Sequence, residues 1–237
     1  MDASKRDIQQ VQKTIASAHK DCSLTQKMQF YNHWAHDYEE DVSILDYNAP
    51  RLAAVALASM YPSNHEEKLV LDIACGTGLV AQELQRCGFK LFHGVDGSEG
   101  MIQVAGGKKL YKELKKCMLG HEPLPSPSDY YDAVIIVGAL SDGQVPSFVI
   151  PELIRVAKPG GFVCLTTRCN PSNLHYKAQL DQELSVLQNK GLWECITVQN
   201  VEKWERAISE HEAQKESDYI SGVIYLYKKS EAFPCTD

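Results

Sequence analysis

The sequence has no long apolar run and no excess of positive charge. None of its apolar stretches reaches the ~18 residues that a membrane-spanning helix needs, and its polar first residues argue against a secretory signal. Its formal net charge of −7 at pH 7 and its pI near 5.6 argue against a general nucleic-acid-binding surface. We therefore expect neither membrane insertion nor general nucleic-acid binding.

The cysteines show no Cys-x-x-Cys pair and no histidine at zinc-finger spacing. There are eight of them: Cys22, Cys75, Cys87, Cys117, Cys164, Cys169, Cys195 and Cys235. Without a secretion signal they are most simply free thiols in a reducing compartment, the cytoplasm or the nucleus. His33 and His36 share a predicted helix face, but no third ligand accompanies them, so no metal site is predicted.

The composition is that of an ordinary globular protein, since 44% of the 237 residues are hydrophobic and 23% are charged. We predict four segments along the chain. They are a flexible leader at 1–29, an N-terminal helical lid at 30–66, the main domain at 67–228 and a loose tail at 229–237. The leader is interpreted as a marginal helix or a partly disordered segment, because it is polar and its helical periodicity is sparse.

Strands and helices alternate through the main domain. Strands are predicted at 68–73, 90–95, 116–119, 133–137, 162–166, 195–198 and 222–227, and Lys-Pro-Gly-Gly at 158–161 predicts a sharp reversal. Such alternation predicts an α/β fold with a parallel sheet covered by helices on both faces. Ligands bind at the carboxyl ends of the strands in sheets of this kind.

The segment at 70–80 (Val-Leu-Asp-Ile-Ala-Cys-Gly-Thr-Gly-Leu-Val) is an apolar strand followed by a tight turn and the start of a helix. Gly76 and Gly78 let a ligand approach the main chain closely, because glycine has no Cβ. A second carboxylate, Asp96, ends the next predicted strand. This pairing predicts a pocket for a nucleoside-bearing cofactor.

Residues 76–81 also fit the G-x-G-x-x-A pattern of dinucleotide-binding proteins, which leaves a nicotinamide-dependent oxidoreductase open. Three features favour S-adenosylmethionine instead. Asp72 precedes the turn, where a carboxylate repels a pyrophosphate but suits an ammonium group. About seventy residues precede the first strand, and a pair of late strands follows the reversal at 158–161.

Four motifs resemble those of class I S-adenosylmethionine-dependent methyltransferases. Residues 71–78 are similar to the first family motif, 94–98 with Met101 to the second, 131–135 to the fourth strand, and 153–161 to the helix and turn before the fifth strand. The resemblance implies a three-layer Rossmann-like fold with a mostly parallel seven-stranded sheet. It also implies S-adenosylmethionine as methyl donor and S-adenosylhomocysteine as product.

The resemblance assigns cofactor-binding positions, with Asp96 on the ribose hydroxyls; the alternative for Asp96 is a cap of the following helix. The family usually has glycine where Ala74 stands, and alanine is tolerable there if its φ is negative. Cys75 is interpreted as a small residue beside the ligand, since no base motif accompanies it. The complete predicted set is Tyr38, Asp72, Ala74, Cys75, Gly76, Gly78, Asp96, Gly97, Ser98, Met101, Leu119, Gly120, His121, Val137 and Gly138.

No catalytic residue is identified by a motif. Asp142 and His175 are candidates, because each follows a strand on the substrate side of the predicted cleft. Aromatic residues at 31–38 are expected to cover the cofactor as a lid or simply to pack on the sheet. We expect a monomer that methylates an unidentified acceptor, a small molecule rather than a protein. The alternative is a protein that binds the cofactor without catalysis.

Overall fold

A mostly parallel sheet forms the centre of the molecule. The computed structural model describes residues 7–18, 23–207 and 218–231. The strands are β1 (Leu69–Ile73), β2 (Leu91–Asp96), β3 (Tyr111–Lys116), β4 (Tyr131–Ile136), β5 (Ala157–Arg168), β6 (Trp193–Arg206) and β7 (Tyr219–Lys229). Their order is β3-β2-β1-β4-β5-β7-β6, and β7 runs antiparallel to both of its neighbours. The predicted α/β class and the seven-stranded, mostly parallel sheet are confirmed.

Helices cover the sheet on both faces. They are α1 (Ile8–Ala18), α2 (Leu24–Trp34), α3 (Tyr38–Ile44), α4 (Ala49–Ala58), α5 (Leu79–Arg86), α6 (Glu99–Gly107), α7 (Ile150–Val156) and α8 (Leu174–Asn189). Short 3₁₀ turns lie at His65–Glu67, Ser147–Val149 and Pro171–Asn173. No helix of the described residues is long and apolar enough to cross a membrane.

The two faces of the sheet form two apolar cores. Val70 and Ile135 pack with α4 and α5, whereas Leu71 and Ile136 pack with α7 and α8. Successive strand residues point to opposite faces, so a strand buried on both sides is apolar at every position. This explains why β1 and β4 appear in the sequence as continuous apolar runs.

The predicted flexible leader at 1–29 is largely helical where the structure describes it. Helix α1 occupies its first half, and α2 crosses the predicted boundary at residue 30. Ser23 and Gln26 form a capping box at the start of α2. Val11 and Ile15, one turn apart, pack against Trp34 and Leu45. Residues 1–6 and 19–22 of the leader and 232–237 of the tail lie outside the described residues.

Two predicted elements are shifted. Strand β3 lies at Tyr111–Lys116 rather than at 116–119, because an edge strand rich in lysine and glutamate lacks the apolar pattern of an inner strand. The predicted reversal at 158–161 lies inside β5 as an irregularity, since Ala157 pairs with Tyr131 and Phe162 with Ala133. Gly160 supplies its positive φ of 74°.

Candidate active site

The loop between β1 and α5 has a left-handed backbone at three alternate residues. Ala74, Gly76 and Gly78 have φ angles of 53°, 53° and 90°. The condition under which alanine is tolerable at position 74, a negative φ, is therefore not met, and a left-handed alanine costs about 1–2 kcal/mol. A Cβ added at Gly76 would meet no atom within 4 Å. The main chain at Gly76 thus faces open space that a ligand can fill.

Asp96 ties this loop to the end of β2. Its Oδ2 accepts a 2.8 Å hydrogen bond from the N–H of Gly76, and its Oδ1 accepts one of 2.8 Å from the N–H of Ser98. Burial raises the pKa of Asp96, whereas the N–H groups of Ser98, Gly76 and Gly97 lower it in part. The cap of α6 is Ser98, whose Oγ accepts from the N–H of Met101 at 3.2 Å. Asp96 therefore does not act as the side-chain cap.

Asp72 lies beneath the loop instead of facing the cleft. It is 1% exposed, and its Oδ2 accepts a 2.7 Å hydrogen bond from the hydroxyl of Tyr111. Its Oδ1 has no partner among the described residues. Burial raises the pKa of Asp72 to about 7, against the lowering effect of the Tyr111 hydrogen bond. Burial also raises the pKa of the Cys75 thiol, which makes a nucleophilic thiolate unfavourable.

A cleft of about 1200 Å³, counting its open mouth, lies above the carboxyl ends of the strands. Of the predicted cofactor-binding residues, it is lined by Tyr38, Ala74, Gly76, Asp96, Gly97, Met101, Leu119, Val137 and Gly138. Those that do not line it are Asp72, Cys75, Gly78, Ser98, Gly120 and His121. Asp142 and His175 are also outside the lining, and both are exposed.

Helices α2 and α3 cover the cleft. Asn32 fixes α2 to α6, because its Oδ1 accepts hydrogen bonds from Ser98 Oγ at 2.7 Å and from the N–H of Gly100 at 3.0 Å. The rings of Trp34 and Tyr38 meet edge to face at 4.9 Å, and the Trp34 indole N–H donates to Asp41 Oδ2 at 2.7 Å. These rings therefore serve both as a lid and as packing residues, because they line the cleft and also pack in the apolar cluster formed with α1.

The far end of the cleft is built by residues that the sequence analysis missed: Tyr47, Arg168, Trp204 and Glu205. In β6 the register against β7 shifts between Val201 and Glu205. Such a bulge re-aims side chains. Trp204 rests on Gly222, and its indole N–H has no partner among the described residues. A lone tryptophan within the charged segment at 202–206 was the available signal.

Within the described residues, no group of histidine, cysteine, aspartate and glutamate has an arrangement that could hold a metal ion. A nucleoside-bearing ligand fits the cleft better. The cleft has a carboxylate at Asp96 for the ribose hydroxyls and an open main-chain turn at Gly76. It also has apolar side chains such as Met101 and Leu119 for a flat ring.

Comparisons with known proteins agree with this geometry. A family described as "Methyltransferase domain" matches residues 71–165. The human "Methyltransferase-like protein 27" is 52% identical over 194 residues, which cover 82% of this chain and 79% of that protein. The "Demethylmenaquinone methyltransferase" of Symbiobacterium thermophilum is 36% identical over 121 residues, or 47% of this chain and 45% of the relative.

Solved structures show the same fold at low sequence identity. An S-adenosylmethionine-dependent methyltransferase from Methanosarcina mazei has a TM-score of 0.51 and 18% identity, over 70% of this chain and 93% of that one. A second structure is described as a methyltransferase complex with the Haloferax volcanii Trm112 methyltransferase activator. Its matched chain has a TM-score of 0.59 and 16% identity, with coverages of 84% and 97%.

Proposed function

This chain belongs to the class I methyltransferase family, and we propose that it binds S-adenosylmethionine in the cleft and transfers the methyl group to a small-molecule acceptor. The observation that carries the proposal is the junction of Asp96 and Gly76. One carboxylate at the end of β2 lines the cleft and also shapes the open turn after β1.

Each part of the cofactor has residues suited to it. Asp96 would accept hydrogen bonds from the ribose hydroxyls through its remaining lone pairs. The adenine would pack against Gly97, Met101 and Leu119. The turn at Ala74 and Gly76 would hold the methionine part by its backbone, and Val137 and Gly138 would lie beside the methyl group.

The remaining predicted residues support this set without facing the ligand. Gly78 starts α5, and Ser98 holds the α6 N-terminus and the lid. Asp72 stabilises the loop from beneath through Tyr111. The Gly120 loop packs against Pro146, at the point where His121 begins the exposed segment after β3.

S-adenosylmethionine supplies an electrophilic methyl group on a sulfonium centre, so the chain's own residues have only to hold and shield the reactants. Positioning two reactants in line is worth about 7–11 kcal/mol. Trp34 and Tyr38 line the cleft from the lid, where they would exclude water and offer aromatic rings, which attract a cation. We assign no general base, because the acceptor decides whether one is needed.

A small molecule is favoured as acceptor by the way the lid covers the cleft. Tyr31 on α2 donates to Gln144 Oε1 at 3.3 Å, which brings the lid to the loop after β4 where the methyl group would lie. A relative with sequence similarity over the motif region is named for a small molecule, demethylmenaquinone. The nicotinamide alternative loses support, because β7 lies antiparallel between β5 and β6 instead of completing an all-parallel dinucleotide sheet.

Calorimetric titration with S-adenosylhomocysteine, S-adenosylmethionine and NAD tests the cofactor. We expect binding of the first two and none of NAD, and binding of NAD alone would overturn the proposal. Transfer of a labelled methyl group into protein, RNA and small-molecule fractions of a cell extract then tests catalysis. Label in the small-molecule fraction is expected; its absence from every fraction would favour a cofactor-binding protein without catalysis.

We propose further that the protein acts as a monomer in the cytoplasm or nucleus. The six cysteines that the structure describes are all free thiols, and Cys195 is exposed, which suits a reducing compartment. Size-exclusion chromatography with light scattering measures the oligomeric state, and fractionation of cells that express the protein identifies the compartment.

A further inference from the structure

Arg168 is a cation inside the cleft and has no acidic ion-pair partner among the described residues. It is the last residue of β5, its side chain is half-buried, and it lines the cleft. Lys108 and Lys158, by comparison, form ion pairs with Glu39 and Asp132. In the described part of the chain no carboxylate forms an ion pair with Arg168. A partly desolvated guanidinium with its donors free is a binding group for an anion.

Arg168 lies beside the residue where the methyl group is proposed to lie. The N–H of Gly138 donates to Thr166 Oγ1 at 3.0 Å, and Thr166 lies two residues before Arg168 on β5. A Cβ added at Gly138 would collide with the hydroxyl of Tyr47, so this phenol covers the same spot. Burial raises the pKa of Tyr47 well above its usual value; the negative charge of Glu205 adds to the rise, and the positive charge of Arg168 lowers the pKa in part. Gly138, Tyr47 and Arg168 therefore form one wall.

The position of this wall along the sheet separates it from the ribose. Asp96 ends β2 and Arg168 ends β5, with β1 and β4 between them. Three strand spacings amount to about 14 Å. A cofactor whose ribose lies at Asp96 extends over β1 toward β4, so the residues at the end of β5 face what lies beyond the methyl group. That is the place of the acceptor.

The charges of the cleft favour an anion there. Among the described residues, its charged lining consists of two cations, Lys27 and Arg168, and two carboxylates, Asp96 and Glu205, whose formal charges cancel. S-adenosylmethionine brings one net positive charge on its sulfonium. A monoanionic acceptor neutralises the covered cleft, whereas a cationic acceptor such as a lysine side chain would add a second uncompensated charge.

We infer that the methyl acceptor is a small molecule with a carboxylate or equivalent oxyanion, and that the guanidinium of Arg168 binds this group. The inference rests on the proposed function and specifies its substrate class. The oxyanion is a recognition group and takes no part in the transfer. Arg168 thereby sets both the orientation of the acceptor and the preference for anions over amines.

Thermal unfolding of the complex with S-adenosylmethionine, which carries the sulfonium charge, tests the inference with benzoate and its neutral isostere benzamide as probes. An aromatic ring suits a cleft that Trp34 and Tyr38 line. For a millimolar dissociation constant and a benzoate concentration about ten times higher, we expect benzoate to raise the Tm of the wild-type complex by about 3 °C. Benzamide should raise it by less than about 1 °C, because it carries no charge.

Arg168→Gln should abolish the benzoate shift, whereas Arg51→Gln, which removes an exposed arginine of α4, should retain it. Equal shifts from benzoate and benzamide, a benzoate shift that survives Arg168→Gln, or no benzoate shift in wild type would each overturn the inference. A wild-type protein that does not bind S-adenosylhomocysteine at all would instead contradict the proposed function, so the two failures are distinguishable.

The competing role for Arg168 is to bind the carboxylate of the cofactor itself. Titration of Arg168→Gln with S-adenosylhomocysteine and with methylthioadenosine, which lacks the amino-acid part, separates the two roles. We expect both affinities to stay within about twofold of wild type, which is under about 0.5 kcal/mol. A tenfold loss for S-adenosylhomocysteine alone would assign Arg168 to the cofactor and overturn the inference.

Discussion

The carboxylate of Asp96 accepts a 2.8 Å hydrogen bond from the N–H of Gly76, which joins the loop after β2 to the loop after β1. Its other oxygen holds the N–H of Ser98 at the start of α6. The residue expected to bind the ribose therefore also fixes the shape of the turn that would hold the rest of the cofactor. The two roles have different consequences on mutation.

Asp96→Ala should weaken S-adenosylhomocysteine binding by about 10–100-fold, because hydrogen bonds to a charged group are worth about 1.5–3 kcal/mol. Calorimetry measures the affinity. The matched control is Glu99→Ala, because Glu99 is an exposed carboxylate at the start of α6. This variant should bind S-adenosylhomocysteine as wild type does. An unchanged affinity in Asp96→Ala would refute the cofactor role.

Asn32→Ala should loosen the lid, since it removes the acceptor of two hydrogen bonds from Ser98 and Gly100. We expect S-adenosylhomocysteine affinity to fall about 3–10-fold, in line with about 1 kcal/mol for such bonds, and amide exchange in α2 to speed up. His33→Ala is the control, because the hydrogen bond of its ring, to the carbonyl of Gln29, stays within α2. Equal exchange in both variants would show that Asn32 does not hold the lid.

Asp72 makes stability depend on pH. Its pKa is about 7 in the folded protein and near 3.9 when unfolded, so the folded state holds the proton more tightly between these values. The free energy of unfolding should therefore fall as pH rises from about 4 to 7 and then level off.

Asp72→Asn keeps an acceptor for Tyr111 and removes the titration. Its stability relative to wild type should rise by on the order of 3 kcal/mol between pH 4 and pH 8. Urea unfolding at both values measures this, with the exposed Glu66→Gln as control. If the difference between Asp72→Asn and wild type is the same at both pH values, the buried carboxyl does not titrate as described.

Gly222→Ala should destabilise the protein by about 1–3 kcal/mol, because the new Cβ would meet the Trp204 indole, with Cε2 at only 2.8 Å. Urea unfolding gives the free energy. Gly107→Ala, where no atom lies within 4 Å at the end of α6, should instead stabilise the protein by up to about 1 kcal/mol. Equal effects of the two substitutions would contradict the packing of Trp204 on β7.

Ala74→Gly should stabilise the protein by roughly 0.5–1 kcal/mol. The left-handed backbone at Ala74 costs alanine about 1–2 kcal/mol, which glycine relieves. Part of this gain is lost, because glycine gives the unfolded chain more conformational entropy. Ala56→Gly within α4 is the matched control and should destabilise it by about 1 kcal/mol. A loss of stability in Ala74→Gly would show that the φ of 53° is not a source of strain.

Predictions from sequence succeeded where the pattern is local and repeated. The apolar runs of β1 and β4 and the acidic residues Asp72 and Asp96 at strand ends are visible in the sequence, because strand periodicity and turn chemistry act between near neighbours. They left α1 undecided between a marginal helix and a partly disordered leader, because the spacing of Val11 and Ile15 acquires meaning only once Trp34 and Leu45 pack against it. They also left the φ of Ala74 undecided, since residue type alone does not show it.

The sequence by itself determined the fold class and the methyltransferase-like motifs around Asp96 and Gly76, because these depend on spacings of a few residues. Only the tertiary structure decided that Asp72 lies beneath the turn while Arg168, Trp204 and Glu205 line the far end of the cleft. Their meeting depends on a parallel β4–β5 pair, an antiparallel β7 and a bulge in β6, which bring together residues distant in the chain. Pairing and register between strands are long-range properties, so no local pattern specifies them.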